Sequence, residues 1–144
     1  MAKSVTVRAN EKGEYWLDVE VAGERTTAQI DSGYTGTGGG GACTVTEQNW
    51  NKIADRLTNK GKAGESTDYK GDKITPEYGK GKIKIVGLDT EVEKFITFAG
   101  AAHDLLGTTF LHNLANVTVE WNLRDQIMTF TEMEKEGKDE DKED

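Results

Sequence analysis

A chain of 144 residues with 35% hydrophobic residues has the size of one domain and can bury one core, which excludes two complete domains. Its 17 glycines and single proline, spread among short apolar runs, favour strands and turns over a helical bundle. The formal charge of -8 repels a phosphate backbone and excludes nucleic acid as the main partner.

The first predicted elements are strands, because apolar and polar residues alternate over residues 4–8 and 15–21. A turn at Ala22-Gly23 leads into a third strand that ends at Ile30. The second and third strands are expected to form a hairpin. This hairpin delivers Asp31 to a junction between a strand and a loop.

One helix is predicted over residues 47–57, with Thr46 as its N-cap. The helical spacing places four apolar residues on one face: Trp50, Ile53, Ala54 and Leu57. Further strands are predicted over residues 43–46, 67–74, 82–86 and 92–98. A short helix over residues 108–114 and a final hairpin over residues 116–130 follow.

Eight or nine short strands with one clear helix and one short helix predict a mostly β fold, a small closed or sandwiched domain. This domain is expected to span residues 1–131. Residues 132–144 carry a run of charge with one apolar residue, which predicts a disordered acidic tail. No apolar run reaches the length of a membrane span. A lone Cys43 cannot form an internal disulfide, and the first residues lack a secretory signal. A cytoplasmic location is therefore expected.

Two short motifs are the main sequence evidence for a function. Asp31-Ser32-Gly33 follows an apolar strand, and Leu105-Leu106-Gly107 stands far downstream, with a helix and a hairpin between them. An Asp-Ser-Gly tripeptide alone is more often an ordinary turn. The ordered pair of motifs resembles the retropepsin-like aspartic proteases of retroviruses, retroelements and some cellular proteins, over roughly residues 15–130.

This resemblance implies a closed, barrel-like acid-protease lobe that acts as an aspartic endopeptidase on peptide or polyprotein substrates, without metal or cofactor. Two neighbouring carboxylates share a proton and activate water. The chain has one such motif, since Asp89-Thr90 is followed by Glu91 where glycine is needed. The resemblance therefore implies a homodimer, in the cytoplasm or in a viral or retroelement particle, with edge strands at residues 4–8 and 126–130 expected to pair between subunits.

The resemblance also assigns roles to residues. Ser32 is expected to fix the carboxylates across the dimer, Gly33 to allow close backbone approach, and the leucines before Gly107 to hold the catalytic loop. The hairpin around residues 69–72 corresponds to the flap that closes over bound peptide. The candidate catalytic residues are Asp31, Ser32 and Gly33, and the candidate substrate-binding residues are Tyr34, Tyr69, Lys70 and Gly71.

Residues 34–41 depart from the family pattern as a glycine-rich insertion beside Asp31. The segment reads either as a natural substrate-facing loop, with Tyr34 as its anchor, or as an engineered linker. It keeps an alternative function open, that of a catalytically weak or inactive retropepsin-like module for dimerisation or peptide binding.

Other patterns in the sequence are weaker evidence of a function. Residues 36–41 match the spacing of a dinucleotide-binding loop, but no helix opens at their end. His103, His112 and Cys43 are too dispersed to predict a metal site. His103 is expected to form a surface pair with Asp104.

Overall fold

The computed structural model describes residues 3–32, 34 and 41–133. Gly33, residues 35–40 of the glycine-rich insertion and residues 134–144 of the predicted tail lie outside the described residues. The strands are β1 (Lys3–Arg8), β2 (Trp16–Val21), β3 (Glu24–Ile30), β4 (Cys43–Val45), β5 (Thr58–Lys62), β6 (Ser66–Thr67), β7 (Lys73–Ile74), β8 (Glu77–Ile85), β9 (Glu91–Phe98), β10 (Leu105–Leu106), β11 (Val117–Asn122) and β12 (Ile127–Glu132). The helices are α1 (Glu47–Ile53), continued by a 3-10 turn (Ala54–Arg56), and α2 (Thr108–His112).

Six strands form a closed barrel in the order β2-β3-β10-β4-β9-β8, and β8 pairs with β2 to complete the ring. β5 extends the sheet beyond β8. Most neighbours are antiparallel, but β10 is parallel to β3 and β4 is parallel to β9. The predicted mostly β, closed barrel with two helices is confirmed.

The core follows the period of two that the sequence shows in the barrel strands. In β2, Leu17, Val19 and Val21 are buried while Asp18 is exposed. Across the ring, Ile83 of β8 pairs with Val21, so apolar side chains from both strands fill the barrel interior.

Helix α1 covers one side of the barrel. Thr46 caps it, because the amide of Asn49 donates to Thr46 Oγ1 at 3.3 Å. Trp50 and Ile53 are buried, and Leu57 packs against β8 at a glycine where a Cβ would clash with it. The predicted helix is confirmed, although its last turn is a 3-10 turn. The second helix also forms, from Thr108 to His112.

A second sheet joins the two ends of the described chain, in the order β1-β12-β11. β12 is its central strand, so the expectation that residues 126–130 provide an edge for a partner is wrong. Its last residue, Glu132, is buried and lies one residue beyond the boundary predicted for the ordered domain.

The structure has more strands than predicted because several are short or polar. β5 has the sequence TNKGK, which lacks apolar alternation, and it forms only by pairing with β8. Residues 67–74 form most of a small hairpin of β6 and β7 instead of one strand. In the described part of the chain, no helix is long and apolar enough to cross a bilayer.

Candidate active site

Asp31 directly follows β3, and its backbone is fixed by β10. The amide of Asp31 donates to the carbonyl of Leu106 at 2.8 Å, and the amide of Gln29 donates to the carbonyl of Asp104 at 2.9 Å. These bonds continue the parallel pairing of Leu106 with Ile30. The short strand β10 therefore holds the turn that begins at Asp31, which is the structural role predicted for the two leucines.

Gly107 lies where the two described ends of the glycine-rich insertion meet. Its amide donates to the carbonyl of Ala42 at 3.0 Å, and the amide of Thr109 donates to the carbonyl of Gly41 at 3.0 Å. A Cβ at Gly107 would collide with the carbonyl oxygens of both Gly41 and Tyr34. Glycine is required here because three backbone segments converge on one point.

Tyr34 closes the turn that begins at Asp31, because its amide donates to the Asp31 carbonyl at 3.0 Å. Its side chain is half-buried, and its hydroxyl shares a hydrogen bond with Thr97 Oγ1 of β9 at 3.1 Å. Burial raises the pKa of the Tyr34 hydroxyl. The structure thus places Tyr34 against the barrel wall, and its contact with substrate stays a prediction.

The other predicted catalytic residues are described in part. Ser32 is exposed in the turn after Asp31. A partner subunit would reach its hydroxyl only if this turn lies at an interface. The predicted hydrogen bond across the dimer stays a prediction. Gly33 lies outside the described residues.

The side chain of Asp104 connects the elements around Asp31, a structural role that the sequence did not predict. Its side chain is only 3% exposed and accepts hydrogen bonds from Thr26 Oγ1 at 2.6 Å, Asn49 Nδ2 at 2.6 Å and the amide of Thr46 at 2.8 Å. It therefore connects β3 and the start of α1 to the residue that precedes β10. The three donors lie 55 to 78 positions away along the chain, so no local spacing reveals this contact.

The expectation that His103 and Asp104 form a surface pair is wrong. Asp104 is buried in its own hydrogen bonds. His103 Nε2 instead shares a hydrogen bond with Gln29 Oε1 at 2.5 Å, and its ring lies 4.9 Å from the ring of Trp16. His103 is thus a packed residue at the end of the barrel.

The predicted flap is a hairpin with an ordered tip. Asp68 Oδ1 accepts hydrogen bonds from the amides of Lys70 at 2.9 Å and Asp72 at 2.8 Å, and Gly71 has a φ of 89°. This is an Asx-type turn in which glycine takes the left-handed position. The tip is therefore held by its own side chain as well as by backbone pairing.

The hairpin tip rests on the loop that follows β9, because the amide of Tyr69 donates to the carbonyl of Gly100 at 3.0 Å. A groove of about 240 Å³ lies between the tip, this loop and the start of α1. Tyr69 and Lys70 line it, and the Tyr69 side chain is 66% exposed. The structure brings these two predicted substrate-binding residues together, but Asp31 does not line the same groove.

The fold of this chain is similar to that of a solved structure. The crystal structure of a retropepsin-like aspartic protease from Rickettsia conorii matches 92% of this chain and 91% of that chain, with a TM-score of 0.60 and 10% sequence identity. No protein-family profile and no curated protein sequence matches the chain. At 10% identity the likeness concerns the fold, and the chain is therefore similar in fold to a single-lobe, retropepsin-like aspartic protease.

Proposed function

We propose that this chain is one protomer of a homodimeric aspartic endopeptidase. One observation carries the proposal: β10 holds Asp31 at the end of β3, through the bond from its amide to Leu106, within a retropepsin-like fold. An Asp-Ser-Gly turn fixed in this way supplies a carboxylate on a rigid backbone. Rigid placement is what general acid-base chemistry requires.

The proposed reaction uses Asp31 from each of two copies. Two carboxylates about 3 Å apart share one proton, because both cannot ionise together. The ionised carboxylate takes a proton from water, whose oxygen attacks the peptide carbonyl carbon, while the protonated carboxyl donates its proton to the carbonyl oxygen. The carboxyl that took the proton from water then donates it to the amide nitrogen, and the other carboxylate takes a proton from one hydroxyl of the tetrahedral intermediate. The C–N bond breaks, which releases an amine and a carboxylic acid and leaves the pair of carboxylates with one shared proton again.

The second copy is part of the proposal because the chain carries one Asp-Ser-Gly motif. A two-fold axis beside Asp31 would supply the second carboxylate from an identical turn. The proposed substrate is an extended peptide covered by the hairpin tip, with Tyr69 and Lys70 in contact with it. Its entry would require the tip to leave Gly100, which is a movement of a flap.

The test is cleavage of an unfolded protein by the parent chain and by Asp31→Asn. The amide has nearly the shape of the carboxyl group but cannot act as a base, so we expect kcat/KM to fall by at least about a hundredfold while the circular dichroism spectrum stays unchanged. Residual activity within about tenfold of the parent would contradict the mechanism.

A second arm separates the enzyme from the binding-module alternative. A pepstatin-like transition-state mimic should bind and inhibit the parent chain, and cleavage should be fastest on the acid side of neutrality, where the shared proton is present. A parent dimer that binds peptides without cleaving them would favour the alternative function.

A further inference from the structure

Gln29 lies on the same face of β3 as Asp31, because alternate residues of a strand point to the same side. Trp16 of β2 and Leu105 of β10 pair with Gln29 in register, one on each side of it. These three residues are partly exposed, whereas Ala28, on the opposite face, is buried in the core. Trp16, Gln29 and Leu105 therefore form a wall on the outer side of the barrel, next to the candidate catalytic residue.

The indole of Trp16 is fixed in this wall by His103. The two rings lie 4.9 Å apart with their planes at 50°, and His103 Nε2 shares a hydrogen bond with Gln29 Oε1 at 2.5 Å. Part of the Trp16 side chain still remains accessible to solvent. Among aromatic side chains, the face of tryptophan is the best partner for a cation.

Glu14 lies at the same end of the barrel as Asp31. The amide of Ile30 donates to the carbonyl of Tyr15 at 2.8 Å, so the pairing of the hairpin continues to these two residues. Glu14 is the next residue on one strand and Asp31 is the next on the other, which sets the two opposite each other at the end of the hairpin. A peptide held at Asp31 therefore has Glu14 within reach of its side chains.

The carboxylate of Glu14 is held in place and keeps its charge. Its Oε1 accepts hydrogen bonds from Asn10 Nδ2 at 2.9 Å and from Trp16 Nε1 at 3.3 Å, while Oε2 has no donor among the residues that the structure describes. The hydrogen bond from Asn10, and next the one from Trp16, lowers the pKa of Glu14. The carboxylate is therefore ionised on the acid side of neutrality, where cleavage is expected.

We propose that Glu14 and Trp16 bind the side chain of an arginine next to the scissile bond of a peptide substrate. The inference rests on the proposed protease function and names its substrate class. A guanidinium group stacks on an indole face and pairs with a carboxylate through two parallel hydrogen bonds, which the ammonium group of lysine cannot do. The aliphatic stem of the arginine lies along Leu105 in this arrangement.

The charge of the whole chain favours the same class of substrate. A formal charge of -8 attracts cationic peptides over anionic ones. Each protomer of the proposed dimer supplies one Glu14 and one Trp16, so arginine is expected on either side of the scissile bond.

The experiment first maps the bonds that the parent chain cleaves in an unfolded protein, by mass spectrometry, and we expect arginine to be enriched beside them. Two short peptides that span one cleaved bond then differ at a single residue next to it, arginine in one and citrulline in the other. Citrulline has nearly the shape of arginine but no charge. We expect kcat/KM to be about fivefold or more higher for the arginine peptide. Both peptides are assayed at one pH, so that the ionisation of His103, which lies near Glu14, is the same for both.

Glu14→Gln keeps the shape of the side chain and removes its charge, so we expect the ratio of the two kcat/KM values to fall below about twofold. Trp16→Leu keeps apolar bulk without the indole face and should also lower the ratio. Glu20→Gln is the matched control, because Glu20 lies on the same face of β2 at its other end, and it should leave the ratio unchanged. Thermal unfolding checks that each variant is folded. Equal cleavage of both peptides by the parent chain, or a ratio that Glu20→Gln lowers as much as Glu14→Gln, would overturn the inference.

Binding of the same two peptides to the Asp31→Asn chain, measured by isothermal titration calorimetry, separates this inference from the proposed function. If the arginine peptide binds about fivefold more tightly and the parent chain cleaves nothing, the protease is removed and the arginine site stands. If the parent chain cleaves without a preference for arginine, the site is removed and the protease stands. If the parent chain cleaves nothing and Asp31→Asn binds the two peptides equally or not at all, both are removed.

Discussion

Cys43 occupies a fully buried position in β4, with no exposed side-chain surface. Burial raises the pKa of its thiol well above the ordinary value, and the nearby Asp104 carboxylate raises it further. We expect the folded protein to resist a thiol reagent such as Ellman's reagent at pH 8 and to react with one equivalent after denaturation, as followed by absorbance. Reaction of the folded protein at the rate of an exposed thiol would contradict this burial.

Glu132 ties the last strand to the turn before β9. Its carboxylate accepts hydrogen bonds from the amides of Asp89 at 3.0 Å and Thr90 at 2.6 Å and from the Thr90 hydroxyl. Burial alone raises the pKa of Glu132, but these hydrogen bonds outweigh it and lower the pKa below its ordinary 4.5. The ionised Glu132 carboxylate therefore stabilises the fold at pH values above the ordinary pKa. This stabilisation is lost as the pH falls through the lowered pKa of the folded protein.

We accordingly expect Glu132→Gln to lower the free energy of unfolding by about 1–3 kcal/mol at neutral pH, with a smaller loss near pH 3. Urea titrations at a series of pH values measure both quantities. Glu93→Gln, which changes an exposed glutamate of β9, serves as the control and should have little effect. An unchanged pH dependence in Glu132→Gln would show that the hydrogen bonds do not favour the ionised form.

At the scale of elements, Gly107 joins β10 and α2 and contacts the turn that begins at Asp31. Gly107→Ala introduces a methyl group where the Gly41 and Tyr34 carbonyls leave no room, so we expect a loss of about 1–3 kcal/mol in stability and a larger loss of cleavage. Gly64→Ala is the control, because a Cβ there meets nothing within 4 Å. Denaturation and kcat/KM measure the two effects, and equal behaviour of both variants would contradict the predicted clash.

The elements that the sequence predicted are those whose pattern is local. Alternation identified β2 and the second half of β8, and the i, i+3, i+4 spacing identified α1 with its Thr46 cap. The two-residue strand β10 forms only between β3 and β4, which are distant in sequence, so periodicity could not show it and the family resemblance had to supply it. The same limit applies at the site, where the hydrogen bonds of Asp104 and Glu132 join residues 42 or more positions apart.

At the scale of the whole molecule, the proposed active site requires the proposed dimer. We expect the specific activity to fall steeply on dilution, and the unfolding temperature to fall with it, because protomer concentration enters both equilibria. Cleavage assays and thermal unfolding over a wide range of protein concentrations measure this dependence. Asp31→Asn should keep the concentration dependence of stability while losing activity, and a cleaving monomer at every concentration would contradict the shared site.

The convergence on Gly107 has a consequence for how this molecule can change over evolution. The chain leaves the turn after Asp31 at Tyr34 and returns at Gly41, and the carbonyls of both residues lie against the same glycine. Because the two ends of this segment lie against one residue, a change in its length has little effect on the positions of the strands around it. New sequence can therefore be acquired between these two residues, next to the candidate catalytic residue Asp31, without rebuilding the barrel that positions it.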